Sequence, residues 1–217
     1  MNYPEKKLWL TAMLAGAMIV FSGCCPTTSL HPLSNPDSIT SDERLFGTWG
    51  LANEGSTAFL HIGRGEDGYT EIQYVEHKQD ARLDIVSFLT FPSLIDDDSF
   101  LNVEPAELSE GDFEGYIFIH YELLDDNRLS LSGWDEPAIE QAIEDELIRG
   151  EIIEKQEEYT GLQGQPIQGK SKCVRITDET DNIISFIRQY GARKLFNQPM
   201  GIFERVVLKQ GDQNSNP

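Results

Sequence analysis

From about residue 57 the chain alternates apolar and polar positions with a period of two, the pattern of strands buried on one face. Thr57 to Ile62 is the first such run, and a glycine-rich turn from Gly63 to Gly68 follows it. Tyr69 to His77 places Ile72 and Tyr74 on one face and Glu71 and Gln73 on the other. Leu83 to Phe91 is so apolar that the pattern predicts cover on both faces. Phe100 to Val103 is short, and Gly115 to Leu123 again alternates, with Ile117, Ile119, Tyr121 and Leu123 together. A turn at Asp125-Asp126-Asn127 leads into Arg128 to Trp134, and Met200 to Leu208 is the last run. Most links are too short for parallel crossovers, so the order predicts an antiparallel meander.

The period changes to that of a helix twice. Asp135 is placed to cap a helix over 136–148, with Pro137 in the first turn, where its missing N–H costs little. Its predicted stripe is Ile139, Ala142, Ile143 and Leu147, ending at Gly150. A second helix is predicted over 179–190, capped by Asp178, with Ile183, Ile184, Ile187 and Tyr190 on one face and Gly191 as its stop. The expected fold class is mainly β with two helices.

The N-terminus follows a different rule. Lys6 and Lys7 precede an apolar run from Leu8 to Phe21, and Ser22, Gly23 and Cys24 follow. That run suits a signal peptide and is too short to span a bilayer comfortably. Ala17 to Cys24 resembles the lipobox of bacterial lipoproteins, with Phe21 where that family usually has leucine. The resemblance implies cleavage before Cys24, diacylation of its sulfur and acylation of the new amino group. Residues 1–23 are then the signal peptide, 24–42 a lipidated tether, 43–209 a single β-rich domain and 210–217 a disordered polar tail. Pro26, Pro32 and Pro36 with polar residues between them read as a solvated linker, which fully stretched reaches at most about 55–60 Å. In Gram-negative lipoproteins an aspartate after the lipidated cysteine favours inner-membrane retention. Cys25 stands there, so the resemblance implies the outer membrane, facing the periplasm, if the host has one.

Charge narrows the partners. The chain carries 37 acidic and 17 basic side chains, a formal net charge of −20. Such a body does not bind nucleic acid through phosphates, and anionic lipid heads repel it. A basic protein partner is compatible with it. Besides Cys24 there are only Cys25 and Cys173. A bridge between them would pin the tether to the body, but the strand pattern around Cys173 favours a small buried free thiol.

Gly47-Thr48-Trp49 resembles the Gly-x-Trp signature that opens the first strand of lipocalins and related calycin barrels. In that family the tryptophan closes the barrel floor, and an arginine near the last strand packs across it. Arg205 is the matching position here. The resemblance implies a calycin-like barrel or half-barrel. The two helices depart from it, because the first stands where a barrel would continue its meander. As a whole the chain also resembles small bacterial lipoproteins of unassigned function.

Three other patterns suggest chemistry. Gly164 to Ser171 has the spacing of a phosphate-binding P-loop. It lacks the buried strand before it and the helix N-terminus after it that hold phosphate, so a flexible loop is expected. His61, His77 and His120 fall on strands without tight ligand spacing, and Asp96-Asp97-Asp98 lacks the spaced oxygens of a calcium loop. No metal, cofactor or catalytic group is expected. The reading is a non-catalytic, lipid-anchored binding module for a small apolar ligand, motivated by Phe88, Phe91, Tyr116 and Phe118. The alternative is an envelope assembly lipoprotein that meets a basic protein through its acidic surface.

Overall fold

The computed structural model describes residues 26–36, 40–53, 56–77, 83–104, 115–160 and 166–207. Its strands are β1 (Thr28–Ser29), β2 (Gly47–Asn53), β3 (Ser56–Arg64), β4 (Thr70–His77), β5 (Leu83–Ile95), β6 (Asp98–Glu104), β7 (Ile117–Asp125), β8 (Arg128–Gly133), β9 (Gly150–Thr160), β10 (Pro166–Ile176) and β11 (Gln198–Arg205). Its helices are α1 (Glu136–Glu144), α2 (Thr180–Tyr190) and α3 (Ala192–Leu195). A short 3-10 turn, Glu43–Leu45, leads into β2.

Eight strands close an antiparallel barrel in the order β11-β2-β3-β4-β5-β6-β7-β8. The meander from β2 to β8 is consecutive, and β11 seals it by pairing with β8 on one side and β2 on the other. The helix after β8 therefore does not interrupt the barrel. Residues 134–197 form an excursion that packs outside the wall and returns as β11.

Alternation along the strands sorts side chains into two cores. Inside the barrel, Trp49, Leu51, Leu60, Ile62, Ile72, Tyr74, Leu101, Val103, Tyr121, Leu129 and Phe203 pack together. Outside it, Ile95, Phe100 and Phe118 of the wall meet Trp134, Ile139, Val174, Ile176, Ile183, Phe186, Ile187 and Phe196 of the excursion. Strands β6 and β7 are thus covered on both faces. The helices press on the wall because their apolar stripes have no other surface to bury. Trp134 and Phe196 stack at 3.9 Å between ring centres at this contact.

Several expectations are corrected. The segment read as a solvated linker is built into the body. Thr27, Thr28 and Ser29 are buried, β1 runs parallel to β10, and Leu33 is 2 % exposed. The Leu33 N–H donates to Asn102 Oδ1 at 2.8 Å, and Thr180 Oγ1 donates to the Pro32 carbonyl. Gly115 makes room for this segment. Its φ is +102°, and a Cβ there would stand 2.1 Å from the Ser29 carbonyl oxygen. Backbone groups in this segment thus find partners that a composition rule cannot foresee.

The first half of strand β5 is not covered on both faces. Leu83, Ile85 and Leu89 lie on the open outer wall, with Ile85 58 % exposed. Helix α1 stops at Glu144, where Asp145 and left-handed Glu146 (φ 59°) turn the chain, and Leu147 is exposed. Asp135 caps it as expected, accepting from the Ala138 N–H. Asp178 sits one residue before the cap position of α2, which Glu179 takes. The P-loop-like stretch from Pro166 onward is strand β10 rather than a loop, and Gly164 lies outside the described residues. Cys173 is disulfide-bonded, not a free thiol. Residues 1–25, which include the expected signal peptide and Cys24, lie outside the described residues, as do residues 210–217.

Candidate functional site

The floor of the barrel is built from the residues at the start of β2 and the end of β11. Trp49 points inward from β2 and is fully buried. Its indole Nε1–H donates to the Leu45 carbonyl at 2.7 Å, which ties the 3-10 turn under the barrel. Arg205 is the register partner of Trp49 across the β11–β2 pair. Its guanidinium carbon lies 4.1 Å from the indole ring centre. Its three nitrogens donate to three carbonyls: Nε to Asp126 at 3.0 Å, Nη1 to Phe46 at 2.6 Å and Nη2 to Arg44 at 2.7 Å. One planar cation thus covers the indole face and joins the entry turn to the β7–β8 turn.

Gly47 belongs to the same arrangement. Its φ is +137°, and a Cβ there would lie 2.7 Å from Arg205 Nη1. Only glycine lets the backbone run this close beside the guanidinium. The Gly-x-Trp pattern therefore has a steric meaning here.

Asp42 braces the floor from outside. It accepts from the Arg44 side chain and, at 2.9 Å, from the Tyr121 hydroxyl that reaches down from β7. The Arg44 hydrogen bond, with that of Tyr121, holds the Asp42 carboxyl below its usual range despite partial burial. Burial, reinforced by the Asp42 carboxylate, pushes the Tyr121 hydroxyl up.

Away from the floor the interior changes character. Phe88, Ile117, Ile119 and Met200 pack against the inner cluster, yet each is only partly buried. In a closed barrel, an inward apolar side chain that keeps some exposure faces accessible space. Glu76 and Asp84 are register partners near this end of β4 and β5. Burial, with these two carboxylates nearby, pushes the Tyr74 hydroxyl up to about 12. The end of the barrel opposite Trp49 thus combines partly exposed apolar side chains with negative charge.

Of the aromatics expected to line a ligand space, only Phe88 joins this region. Phe118 and Tyr116 serve the outer core, and Phe91 makes edge contacts with Tyr69 and Tyr116 at 5.8 and 6.0 Å. The sequence carried a signal for Ile117 and Ile119, which alternate with Tyr121. It carried none for Met200, which falls at a register shift between Pro199 and Gly201.

The three strand histidines do not converge. His61 is exposed on the outer wall, with Nδ1 3.0 Å from Thr48 Oγ1. It borders a shallow outer groove of about 340 Å³ with Gly47, Gly63, Glu71 and Gln73. His77 is exposed at the end of β4. His120 is buried under the excursion, with Nε2 3.1 Å from Asp98 and Nδ1 3.4 Å from Ser132. This Asp–His–Ser chain has the residue types of a nucleophilic triad. Ser132, however, sits mid-sheet between His120 and Pro199, and β8 is paired along both edges, which commits its amides to the ladder instead of an oxyanion. The cluster is a polar tie between wall and excursion. Asp96 pairs with Arg188 of α2, so the three aspartates diverge. Among the described residues no group of three or more His, Cys, Asp or Glu is arranged to hold a metal ion.

Asp178 gathers several donors into a polar tie in the excursion. It is 6 % exposed and accepts from the Arg149 side chain and backbone, the Glu179 N–H and Asn182 Nδ2. Burial alone would raise its pKa, but these donors outweigh burial and hold the carboxyl far below its usual range.

No family model, curated protein or solved structure matches the chain.

Proposed function

We propose that this protein is a lipid-anchored extracytoplasmic lipoprotein, attached through Cys24, whose barrel is a non-catalytic binding module for a small apolar ligand. The observation that carries the ligand reading is the partly buried ring of Phe88, Ile117, Ile119 and Met200 in a barrel closed below by Trp49 and Arg205. A plugged floor and an opposite end lined by partly exposed apolar side chains suit an apolar ligand, which binds by removing apolar surface from water. Glu76 and Asp84 then favour neutral or cationic molecules over fatty-acid-like anions. The lipobox resemblance supports the anchor, and the negative body explains why an anchor is needed.

Titration of the soluble body with the neutral probe N-phenyl-1-naphthylamine tests the ligand reading. Saturable fluorescence enhancement is expected in the wild type, with a loss of tenfold or more in affinity in Ile119→Trp, which fills the space. No saturable binding by the folded wild type, or equal binding by both proteins, contradicts it.

A second reading has its own observation. β9 pairs with β10 along one edge and, among the described residues, with no strand along the other. The described start of this strand carries Glu151 and Glu154, which suits an extended basic segment of a protein partner. Crosslinking in cells that repeatedly recovers one basic partner through this strand would favour it over the ligand reading.

A further inference from the structure

Cys173 sits on β10, is 6 % exposed and is disulfide-bonded. The chain has two other cysteines, Cys24 and Cys25, adjacent in sequence, so its partner is one of these. The choice rests on the lipoprotein reading above: a lipidated Cys24 carries a thioether, and a thioether sulfur has no valence left for a disulfide.

The strand register points the same way. β1 runs parallel to β10, with Thr28 opposite Arg175 and Ser29 opposite Ile176. β1 thus begins beside the strand that carries Cys173, with Thr28 opposite a residue two positions from it and three positions after Cys25 in sequence. A disulfide needs Cα atoms roughly 4.4–6.8 Å apart, and neighbouring strands lie about 4.8 Å apart, so a chain entering beside β10 is within reach of Cys173.

We propose that Cys25 is the partner of Cys173 and that this disulfide staples the folded body to its lipid anchor. Two thiols lose two protons and two electrons as the S–S bond forms. The electrons pass to the disulfide of an extracytoplasmic thiol oxidant, which is reduced to two thiols in exchange. Lipidation of Cys24 and the staple at Cys25 divide the two adjacent cysteines between two chemistries. If the lipid took Cys25 or the disulfide took Cys24, the arrangement would fail.

The consequence concerns the face turned to the membrane. Thr27 is already buried in the body. Three residues from Cys24 span at most about 10 Å. The body therefore cannot stand tens of ångströms off the bilayer on a loose linker. Its β1–β10 face stays near the lipid heads, and the short tether restricts how far the barrel can swing about its anchor.

The test is disulfide mapping on protein extracted from membranes without reductant, with free thiols alkylated before digestion and palmitate label followed in parallel. The expected result is a peptide pair joining Cys25 to Cys173, acyl mass on Cys24 and no alkylated cysteine. Cys25→Ser should keep its palmitate label and gain one alkyl group on Cys173. A Cys24–Cys173 pair, or an alkylated Cys173 in the wild type, overturns the staple. The two readings fail separately. A Cys25–Cys173 pair without acyl mass or label sinks the lipoprotein reading and leaves the staple standing, while label with an alkylated Cys173 does the reverse.

Discussion

Arg205→Ala removes three hydrogen bonds and one stacking contact at the floor, so its cost can be worked out contact by contact. The Nη1 bond to the Phe46 carbonyl is partly buried, and leaving that oxygen unpaired costs about 1–2 kcal/mol. The Asp126 and Arg44 carbonyls lie where water can replace the guanidinium, so each contributes about 0.5 kcal/mol. Loss of the stack on Trp49 adds about 0.5–1 kcal/mol. The sum is roughly 2.5–4 kcal/mol, which for a body of this size lowers Tm by about 5–15 °C. Arg44→Ala is the control. Its own side chain is exposed, and Asp42 keeps the Tyr121 hydroxyl bond without it, so the lost ion pair costs about 1 kcal/mol. Arg205→Lys should recover little, because an ammonium cannot reach three divergent carbonyls while lying flat on an indole. Thermal and urea unfolding of the soluble body measures all three. Equal, small effects of Arg205→Ala and Arg44→Ala would refute the reasoning and remove the main support for floor closure.

Further outcomes follow from other contacts. Gly47→Ala should destabilise by about 2–3 kcal/mol, because its Cβ displaces the guanidinium, and the Gly47→Ala/Arg205→Ala double mutant should cost less than the sum of the single changes by about 1 kcal/mol or more. Strict additivity in a double-mutant cycle would show that the two positions are independent. Asp178→Asn should be destabilising at pH 7 and alter the acid response. The folded carboxyl has a depressed pKa, so its stabilisation is full above about pH 4 and fades as pH falls below that, and urea midpoints from pH 7 to pH 2.5 should fall less steeply in the mutant. An unchanged slope would show that Asp178 is not the titrating tie. Gly115→Ala should loosen the packing of β1 against Tyr116, seen as faster hydrogen exchange at the Ser29 and Tyr116 amides, which bond to each other's carbonyls at 2.8 and 2.7 Å. Exchange at wild-type rates would count against that packing.

How far the sequence could be read depended on whether the signal was local. Ile72 and Tyr74, or Ile117, Ile119 and Tyr121, declare their face by alternation, and both sets lie inside the barrel. Trp49 and Arg205 are far apart in sequence, and only the resemblance linked them before the register did. The failures are non-local. Thr27 to Leu33 looks like linker because its burial depends on Asn102, Tyr116 and Thr180, none of which its own composition announces. Leu83, Ile85 and Leu89 read as doubly buried, but the excursion covers β6 and β7 instead, and nothing in β5 says which wall the helices choose. Closure was unreadable for the same reason. Residues 134–197 separate β8 from β11, and pairing over that distance leaves no periodic trace.

The claim beneath the rest is that Cys24 carries the protein's attachment to the membrane. Cells expressing the wild type or Cys24→Ser are grown with radiolabelled palmitate, fractionated, and the protein immunoprecipitated from each fraction. The account predicts label on a membrane-bound wild type and none on Cys24→Ser, because serine offers no thiolate for diacyl transfer. With two or more chains anchoring stably, the wild type should also resist extraction by salt and carbonate. Label retained by Cys24→Ser, or no label in the wild type, would contradict it.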